Sequence, residues 1–447
     1  MPRHLLPGHL LAMVVAVSLS GSALAQGPVS PADSPTHLPE SLARRALAAH
    51  EDDSAKAIAE LRSMGPEGLR VFLEANNPEI EAALSTRGGS RHQVLSALDS
   101  ICQQKDCYAS KLYWHTDLEQ AKAAARAHHK PILSLRLLGR LDEDLSCANS
   151  RLFRITLYAN AQVSRLLRER FVLHWRSVRA VPKLTIDFGD GRKMERTLTG
   201  NSIHYVLDSE GRLIDALPGM YGPGAFLREL ERTSAAAANL AAIDTDDVRK
   251  IALRRYHTLR LNELENAWYN DVKRAGLRVA PSREIPGSGQ AGSTPPSAVS
   301  AATVAISKTG LIERPILRGF SDNPKVLDSI GNDAAWSMIA GLHAGDATQD
   351  QVTRALMSLK DPSLTGASLQ AAIIALERVV AEDTVRNEYV FRARIHAWLA
   401  SESVSSDIAT LNEKIYAELF LTPSWDAWLG LRPAGSYSGI DGDGVRE

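Results

Sequence analysis

The stretch "SCANSRLFRITLYANAQVSRLLRERFVLHW", residues 146–175, decides how the middle of this 447-residue chain is interpreted. The part from 150 to 170 is typical of a helix, and the "FVLHW" that follows is typical of a buried strand. Cys147 precedes the helix, in the order Cys-x-x-Ser with Ser150. The question is therefore whether Cys147 is a redox nucleophile or a cysteine in a fold that lacks redox chemistry.

Residues 108–233 around this stretch alternate between strand and helix patterns. The helix in "TDLEQAKAAARAHH" has Thr116 as its expected N-cap, with Glu119 completing a capping box. The strand "ILSLRLLG" follows it, and the later patterns predict a hairpin around Asp190-Gly191, a second hairpin "SIHYVLDSEGRLIDALPG" and a helix from "PGAFLREL". This order predicts an α/β domain with a central mixed sheet flanked by helices.

The flanking segments are predominantly helical in pattern. Apolar residues recur there at three- and four-residue spacing, apart from one Pro/Gly/Ser-rich stretch. The predicted organisation is a helical region 40–107, the α/β domain 108–233, a helical extension 234–279, a linker 280–314, an all-α domain 315–436 and a flexible tail 437–447.

The N-terminus is typical of a signal peptide over residues 1–25. Arg3 precedes an apolar run at 10–17, and Ala23-Leu24-Ala25 is a small-residue cleavage site before Gln26. A flexible leader 26–39 follows. We therefore expect an exported, periplasmic or secreted protein that has no membrane anchor after cleavage.

The composition excludes some classes of partner. The net charge is −1 and 44% of the residues are hydrophobic, so electrostatics give no reason to expect binding to nucleic acid or to an anionic membrane. No phosphate-binding loop motif occurs, and we predict no bound cofactor. The sequence leaves the oligomeric state open.

Three cysteines remain for an oxidising compartment. Cys102 and Cys107 bracket the polar tetrapeptide "QQKD", so a small disulfide loop can join them if that segment is not helical. Cys147 is then the odd thiol.

The middle segment resembles the thioredoxin superfamily. The resemblance is carried by "YWHTDLEQAKAAARAHHKPILSLRLLG" as opening helix and central strand, by residues 146–175 as active-site helix and next strand, by "GNSIHYVLDSEGRLIDALPG" as last hairpin, and by "GPGAFLREL" as closing helix. It covers residues 108–233. It implies a thioredoxin-like fold with Cys147 at the active site, Ser150 as its hydrogen-bond partner and Ser202 beside them.

Three positions depart from the family pattern. Ser150 replaces the second cysteine of Cys-x-x-Cys, Ser202 stands at the family's cis-proline, and Ser146 replaces the tryptophan before the first cysteine. A serine cannot resolve a mixed disulfide as a second thiolate does. The resemblance therefore implies at most monothiol exchange or capture of protein clients or small thiols through Cys147. The alternative is a non-catalytic protein-interaction module.

Two further groups bear on function. His174 and His204 lie on predicted central strands and could join Cys147 as metal ligands, although a histidine on a strand is more often packed in the core; we predict no metal. The C-terminal half is rich in aromatic residues, typical of a helical core. Trp425 and Trp428, in a Pro-interrupted segment, could instead face a partner.

Overall fold

The computed structural model describes residues 37–85, 89–198, 200–285, 296–304, 313–317, 334–401, 407–432 and 439–445. The predicted signal peptide, residues 26–36 of the leader, and large parts of the linker 280–314 and of the segment that follows it lie outside these residues. Among the described residues, no helix combines the length and the apolar character needed to cross a membrane.

The N-terminal region is a compact group of helices with its own buried core, which includes Leu61, Phe72 and Leu98. Its elements are α1 (His37–Arg45), α2 (Glu51–Ser63), α3 (Pro66–Ala75), α4 (Asn77–Ser85), α5 (Gly89–Cys102) and the single turn α6 (Cys107–Ser110).

A mixed five-stranded sheet follows, in the order β1-β3-β2-β6-β7. Strands β1, β3 and β2 are parallel, whereas β6 pairs antiparallel with both β2 and β7. The strands are β1 (Trp114–His115), β2 (Ile132–Leu138), β3 (Val172–Arg179), β6 (Ser202–Leu207) and β7 (Leu213–Pro218). A separate exposed hairpin joins β4 (Lys183–Asp187) to β5 (Lys193–Thr197). The predicted mixed sheet and both predicted hairpins are confirmed.

Helices cover the sheet and fill the C-terminal region. The sheet-associated helices are α7 (Leu118–His128), α8 (Ala148–Leu152), α9 (Ala161–Arg170) and α10 (Pro223–Ala241). The following helices are α11 (Asp246–Arg274), α12 (Ala298–Thr303), α13 (Arg314–Leu317), α14 (Ala334–Gly341), α15 (Gln351–Lys360), α16 (Gly366–Arg386), α17 (Ala393–Ala400) and α18 (Ile408–Lys414). A short π-helix links α16 to α17 (Asn387–Arg392), and another follows α18 (Ile415–Leu419).

The C-terminal helices share one continuous hydrophobic core with the sheet. Trp268, Tyr389 and Phe420 belong to the same buried cluster as Leu135 and Tyr205. A helix with an apolar face must bury it, and here the sheet's own helices provide the partner surface. The helical C-terminal region therefore packs directly on the α/β unit.

Two local sequence predictions are wrong in detail. The predicted helix 150–170 is interrupted, because α8 continues as a π-turn (Phe153–Leu157) and Asn160 then caps α9 by accepting from the Gln162 and Val163 N–H groups at 3.1 Å. The N-cap of α7 is Asp117 and not Thr116, since the Asp117 carboxylate accepts from the Gln120 N–H at 2.8 Å. In both cases a side chain that competes for backbone N–H groups sets the boundary.

Candidate functional site

Cys147 lies at the N-cap of α8, directly after the loop that leaves β2. Its N–H donates to the Leu138 carbonyl at 3.2 Å, and its Sγ accepts the Ser150 N–H at 3.4 Å. The side chain is 0% exposed, so a thiol-reactive substrate has no access to Sγ in this conformation. The exposed thiol that exchange chemistry needs is not present.

Ser150 does not bond the thiol through its hydroxyl. That hydroxyl donates to the Cys147 carbonyl (2.9 Å) and lies 2.7 Å from the Ser146 hydroxyl. The expectation that the Ser150 hydroxyl bonds the thiol is therefore wrong, and the backbone N–H of Ser150 donates to Sγ instead. A helix N-terminus supplies such unpaired N–H groups whatever the side chain.

The loop before β6 closes over Cys147 through Gly200. A Cβ added at Gly200 would lie 2.5 Å from the Cys147 Cβ, so only a glycine fits there without a shift. Ser202 is the first residue of β6, paired with Leu137, and is fully buried. Its hydroxyl has no hydrogen-bond partner among the described residues. The contact with Cys147 that the structure shows is thus made by Gly200, two residues before the predicted Ser202.

The C-terminal region holds this loop in place. The Tyr416 hydroxyl donates to the Asn201 carbonyl at 2.9 Å, and the Asn201 amide donates to the Phe420 carbonyl at 3.2 Å. Burial raises the pKa of Tyr416 well above its ordinary value. Residues more than two hundred positions downstream therefore help to enclose the cysteine.

Arg179, the last residue of β3, bonds to the same C-terminal region. Its guanidinium donates to three main-chain carbonyls, those of Thr422 (3.0 Å), Pro423 (3.1 Å) and Asp426 (3.3 Å). A planar guanidinium with several donors suits such multiple capture. The turn at 422–430 is thereby anchored to the sheet.

The other two cysteines form a disulfide. Cys102 ends α5 and Cys107 begins α6, and they are joined across a Cα–Cα distance of 6.2 Å. The intervening residues are not helical, which is the condition that the sequence set for this bond. Cys107 also donates its N–H to the Asp99 carboxylate at 2.9 Å. Burial raises the pKa of Asp99 to about 6.

His174 and His204 lie on opposite faces of the sheet and cannot share a metal with Cys147. The register pairs His174 with Ser134, whose hydroxyl lies 2.8 Å from the His174 Nδ1. His204 is paired with Leu135, one position along, and its Nε2 lies 2.7 Å from the Tyr158 hydroxyl. Neighbouring positions on a strand face opposite sides. Burial lowers the pKa of each imidazole to about 3.

A network of buried charges, which sequence reasoning missed, joins the sheet to the C-terminal helices. Arg392 donates to Asp215 on β7 (2.9 Å), to Glu229 on α10 (2.6 Å) and to Glu388 (3.0 Å). Arg260 on α11 also donates to Glu229 at 2.9 Å. The only available signal was one charged residue inside each apolar stretch, such as Asp215 in "LIDALP".

The network sets the ionisation of its members. Burial opposes the charge on Asp215, but the positive charge of Arg392 holds the pKa of that carboxyl below its usual range. Burial lowers the pKa of His257 to about 4, and that of His396 well below its ordinary value. At neutral pH both imidazoles are therefore neutral beside a charged Asp215–Arg392 pair.

Asp215, His257 and His396 are also the one group of potential metal ligands that the described residues bring together, with ligand atoms within 4.8 Å of one another. The two Nδ1 atoms lie 2.9 Å apart, as in a hydrogen bond between neutral imidazoles, and Asp215 already accepts from Arg392 and Tyr256. Arg392 balances the Asp215 charge, and a divalent cation would stand beside a buried guanidinium. The arrangement suits a structural network better than a metal centre.

Aromatic residues of the C-terminal half divide into two groups. Tyr389, Phe391 and Phe420 are buried in the core, as expected for a helical region. Trp425 is 59% exposed and Trp428 is 47% exposed, with the Arg432 guanidinium 5.2 Å from the centre of the Trp428 ring.

Comparison of this chain with protein-family models, with curated proteins and with solved structures finds no significant match.

Proposed function

We propose that this chain is a non-catalytic protein-interaction module built on a degenerate thioredoxin-like domain. The resemblance is supported by the order of the elements: an opening helix α7, the central strand β2, a helix that begins after Cys147, strand β3, the hairpin β6–β7 and the closing helix α10. The function proposed here follows from the state of the cysteine in that arrangement.

The complete burial of Cys147 is the observation that carries the proposal. Exchange with a disulfide requires in-line approach of a second sulfur to Sγ. The Cys147 side chain is completely buried, Gly200 packs against its Cβ, and Asn201 beside Gly200 is bonded to Tyr416 and Phe420. The C-terminal region therefore helps to bury Cys147 in the core, where substrates cannot reach its thiol.

The partner surface that we propose is the turn carrying Trp425 and Trp428. Exposed tryptophans with a neighbouring arginine are the residue types that dominate protein–protein contacts. Arg179 holds the turn rigidly against β3 through three carbonyls, so little ordering is required on binding. The partner is then a protein with a pocket for an indole side chain.

We place this work in the periplasm or outside the cell. The sequence pattern of a signal peptide supports export, and the Cys102–Cys107 disulfide suits an oxidising compartment.

The first test measures the reaction of the folded chain with N-ethylmaleimide by mass spectrometry. We expect Cys147 to remain unmodified until denaturant unfolds the chain, with the variant Cys147→Ser identifying the site. Rapid modification of the folded chain would contradict a sealed thiol.

The second test is genetic. In the source organism, we expect a gene carrying Cys147→Ser to complement a deletion fully, and one carrying Trp425→Ala with Trp428→Ala to fail although the protein accumulates. Ile251→Ala, which removes another exposed apolar side chain (65% exposed), serves as the control. The reverse pattern would sink the proposal.

Monothiol exchange with protein clients or small thiols is the second candidate. It is favoured by the Ser150 N–H, which donates to Sγ at the start of α8 and would stabilise a thiolate. It requires the loop at Gly200 to open. Incubation with oxidised glutathione tests it: a mixed disulfide on Cys147 under native conditions supports exchange, and an unmodified chain rejects it.

A further inference from the structure

A largely apolar cleft in the described part of the chain lies between the N-terminal helices and the edge of the sheet. Its volume is about 760 Å³, within the range of about 300–1,000 Å³ typical of small-molecule sites. It is far in sequence from the turn proposed above as the protein-binding surface, so this proposal does not depend on that one.

The walls of the cleft are apolar on both sides. Leu69 and Leu73 of α3 form one wall, and Leu167, Phe171 and Leu173 form the other. Among these residues only Leu73 is partly exposed; the others are buried. Such walls favour a hydrocarbon chain, because the apolar surface of the ligand leaves water on binding.

The rim of the cleft carries an excess of positive charge. Lys111, Lys130 and Arg168 all line it, and none forms an ion pair with a carboxylate of the described residues. Lys130 and Arg168 instead donate to main-chain carbonyls, of Arg168 (3.0 Å) and Ser110 (2.6 Å) respectively. The lining contains one acidic residue, Glu67, which is paired with Arg70.

A buried polar side chain also lines the cleft. His115 on the edge strand β1 is 9% exposed and lines the cavity, and its Nδ1 has no hydrogen-bond partner among the described residues. Burial, and secondarily Arg62, lower the pKa of His115 to about 4, so its imidazole is neutral at pH 7. A neutral imidazole can donate one hydrogen bond to an oxygen of a ligand.

We propose that this cleft binds a single-chain amphipathic carboxylate, with the hydrocarbon chain between α3 and the start of β3 and the carboxylate among Lys111, Lys130 and His115. Charge complementarity selects this occupant: a neutral chain leaves the rim cations without a counter-charge, and a cationic chain is repelled by them. The carboxylate supplies the one charge that the rim lacks.

Isothermal titration calorimetry of the full chain tests the proposal with three probes of equal chain length, kept below their micelle-forming concentrations. Dodecanoate is expected to bind saturably with one site per chain. Dodecan-1-ol and dodecyltrimethylammonium are expected to bind at least about tenfold more weakly. Absence of saturable dodecanoate binding, or equal affinity for the cationic probe, would overturn the proposal.

Two variants with matched controls locate the site. Leu73→Trp fills the cleft from a partly exposed position and is expected to weaken dodecanoate binding at least about tenfold. Leu259→Trp, on the exposed face of α11 (52% exposed), is expected to leave it unchanged. Circular dichroism verifies that both variants fold.

Lys111→Gln removes one rim charge and leaves a polar side chain that is one atom shorter. We expect weaker binding of dodecanoate and a smaller difference between dodecanoate and the cationic probe, whereas Lys250→Gln on α11 should change neither. If Leu73→Trp and Lys111→Gln both bind dodecanoate like the parent chain, the ligand lies elsewhere and this assignment is wrong.

Discussion

Cys147 and Asp215 are both completely buried beside the same sheet, but they are held in opposite ways. Cys147 accepts one long hydrogen bond from a helix N-terminus and is covered by Gly200. Asp215 accepts from Arg392 and Tyr256, within a network that draws side chains from β7, α10, α11 and the α16–α17 connection. Cys147, which the sequence singles out as a candidate nucleophile, is held mainly by packing. Asp215, which the sequence does not single out, is held by paired charges.

This difference determines how each site responds to change. A buried thiol that accepts only one long hydrogen bond can be replaced by a small side chain with only local loss of contacts. Removing one member of a buried charge network leaves the other members desolvated and unpaired. We therefore expect the C-terminal helices to depend on Arg392 far more than the sheet depends on Cys147.

Arg392→Met is expected to have the largest effect. It leaves Asp215 and Glu229 buried without their main cation, which should lower the free energy of unfolding by about 3–5 kcal/mol. Urea denaturation followed by circular dichroism measures the loss. The control Arg212→Met breaks an ion pair with Asp208 in which the arginine is 49% exposed, and should cost at most about 1 kcal/mol. Equal decreases in the free energy of unfolding in the two variants would show that the buried network stabilises the fold no more than an exposed ion pair does.

The pH dependence of stability is expected to come next. The pKa of His257 falls from about 6.5 to about 4 on folding, so the unfolded chain binds a proton that the folded chain refuses between these values. Stability is therefore fully present above pH 6.5 and falls as the pH drops towards 4, by about 3 kcal/mol for this residue.

The variant His257→Asn isolates this effect. It keeps a polar atom near the Nδ1 position and cannot be protonated, so its stability should fall less steeply over the same window. Asp99 acts in the opposite direction, because its pKa is raised to about 6, but it is common to both proteins. Identical slopes in urea denaturation at a series of pH values would rule out the role of His257.

Gly200→Ala tests the cover of Cys147. The added Cβ would lie 2.5 Å from the Cys147 Cβ, so one of the two segments must move, at about 1–3 kcal/mol. We expect the variant to react with N-ethylmaleimide faster than the parent chain under native conditions. Gly345→Ala, where an added Cβ meets no atom within 4 Å, should leave the reaction unchanged. An unreactive thiol in Gly200→Ala would show that other residues seal it.

Cys147→Ala is expected to have the smallest effect, a loss of about 1 kcal/mol from the removed sulfur contacts. Thermal unfolding of the variant and of the parent chain measures it. A loss as large as that of Arg392→Met would reverse the comparison between the two sites.

The sequence predicted those features that depend on local pattern. Turn residues between strand-like runs, such as Asp190-Gly191, predicted both hairpins, since neighbouring residues alone set that geometry. The spacing of Cys102 and Cys107 allowed their disulfide. The interruption at Asn160 was missed because the segment remains helical on either side of it.

The site was predicted less well than the fold. Cys147 does begin a helix, but Ser150 contacts it through its backbone, and Gly200 lies against it where Ser202 was expected. Residue spacing does not determine which of several acceptors the Ser150 hydroxyl bonds. It also does not determine which residue of the loop before β6 contacts Cys147.

By itself, the sequence determined the order of the strands and helices and the position of a lone cysteine before a helix, because these follow from short-range periodicity and capping. Only the tertiary structure decided that the cysteine is sealed and that Asp215 meets Arg392, 177 positions later. Burial and charge pairing depend on which distant surfaces come together to exclude water, and that choice belongs to the packed chain as a whole.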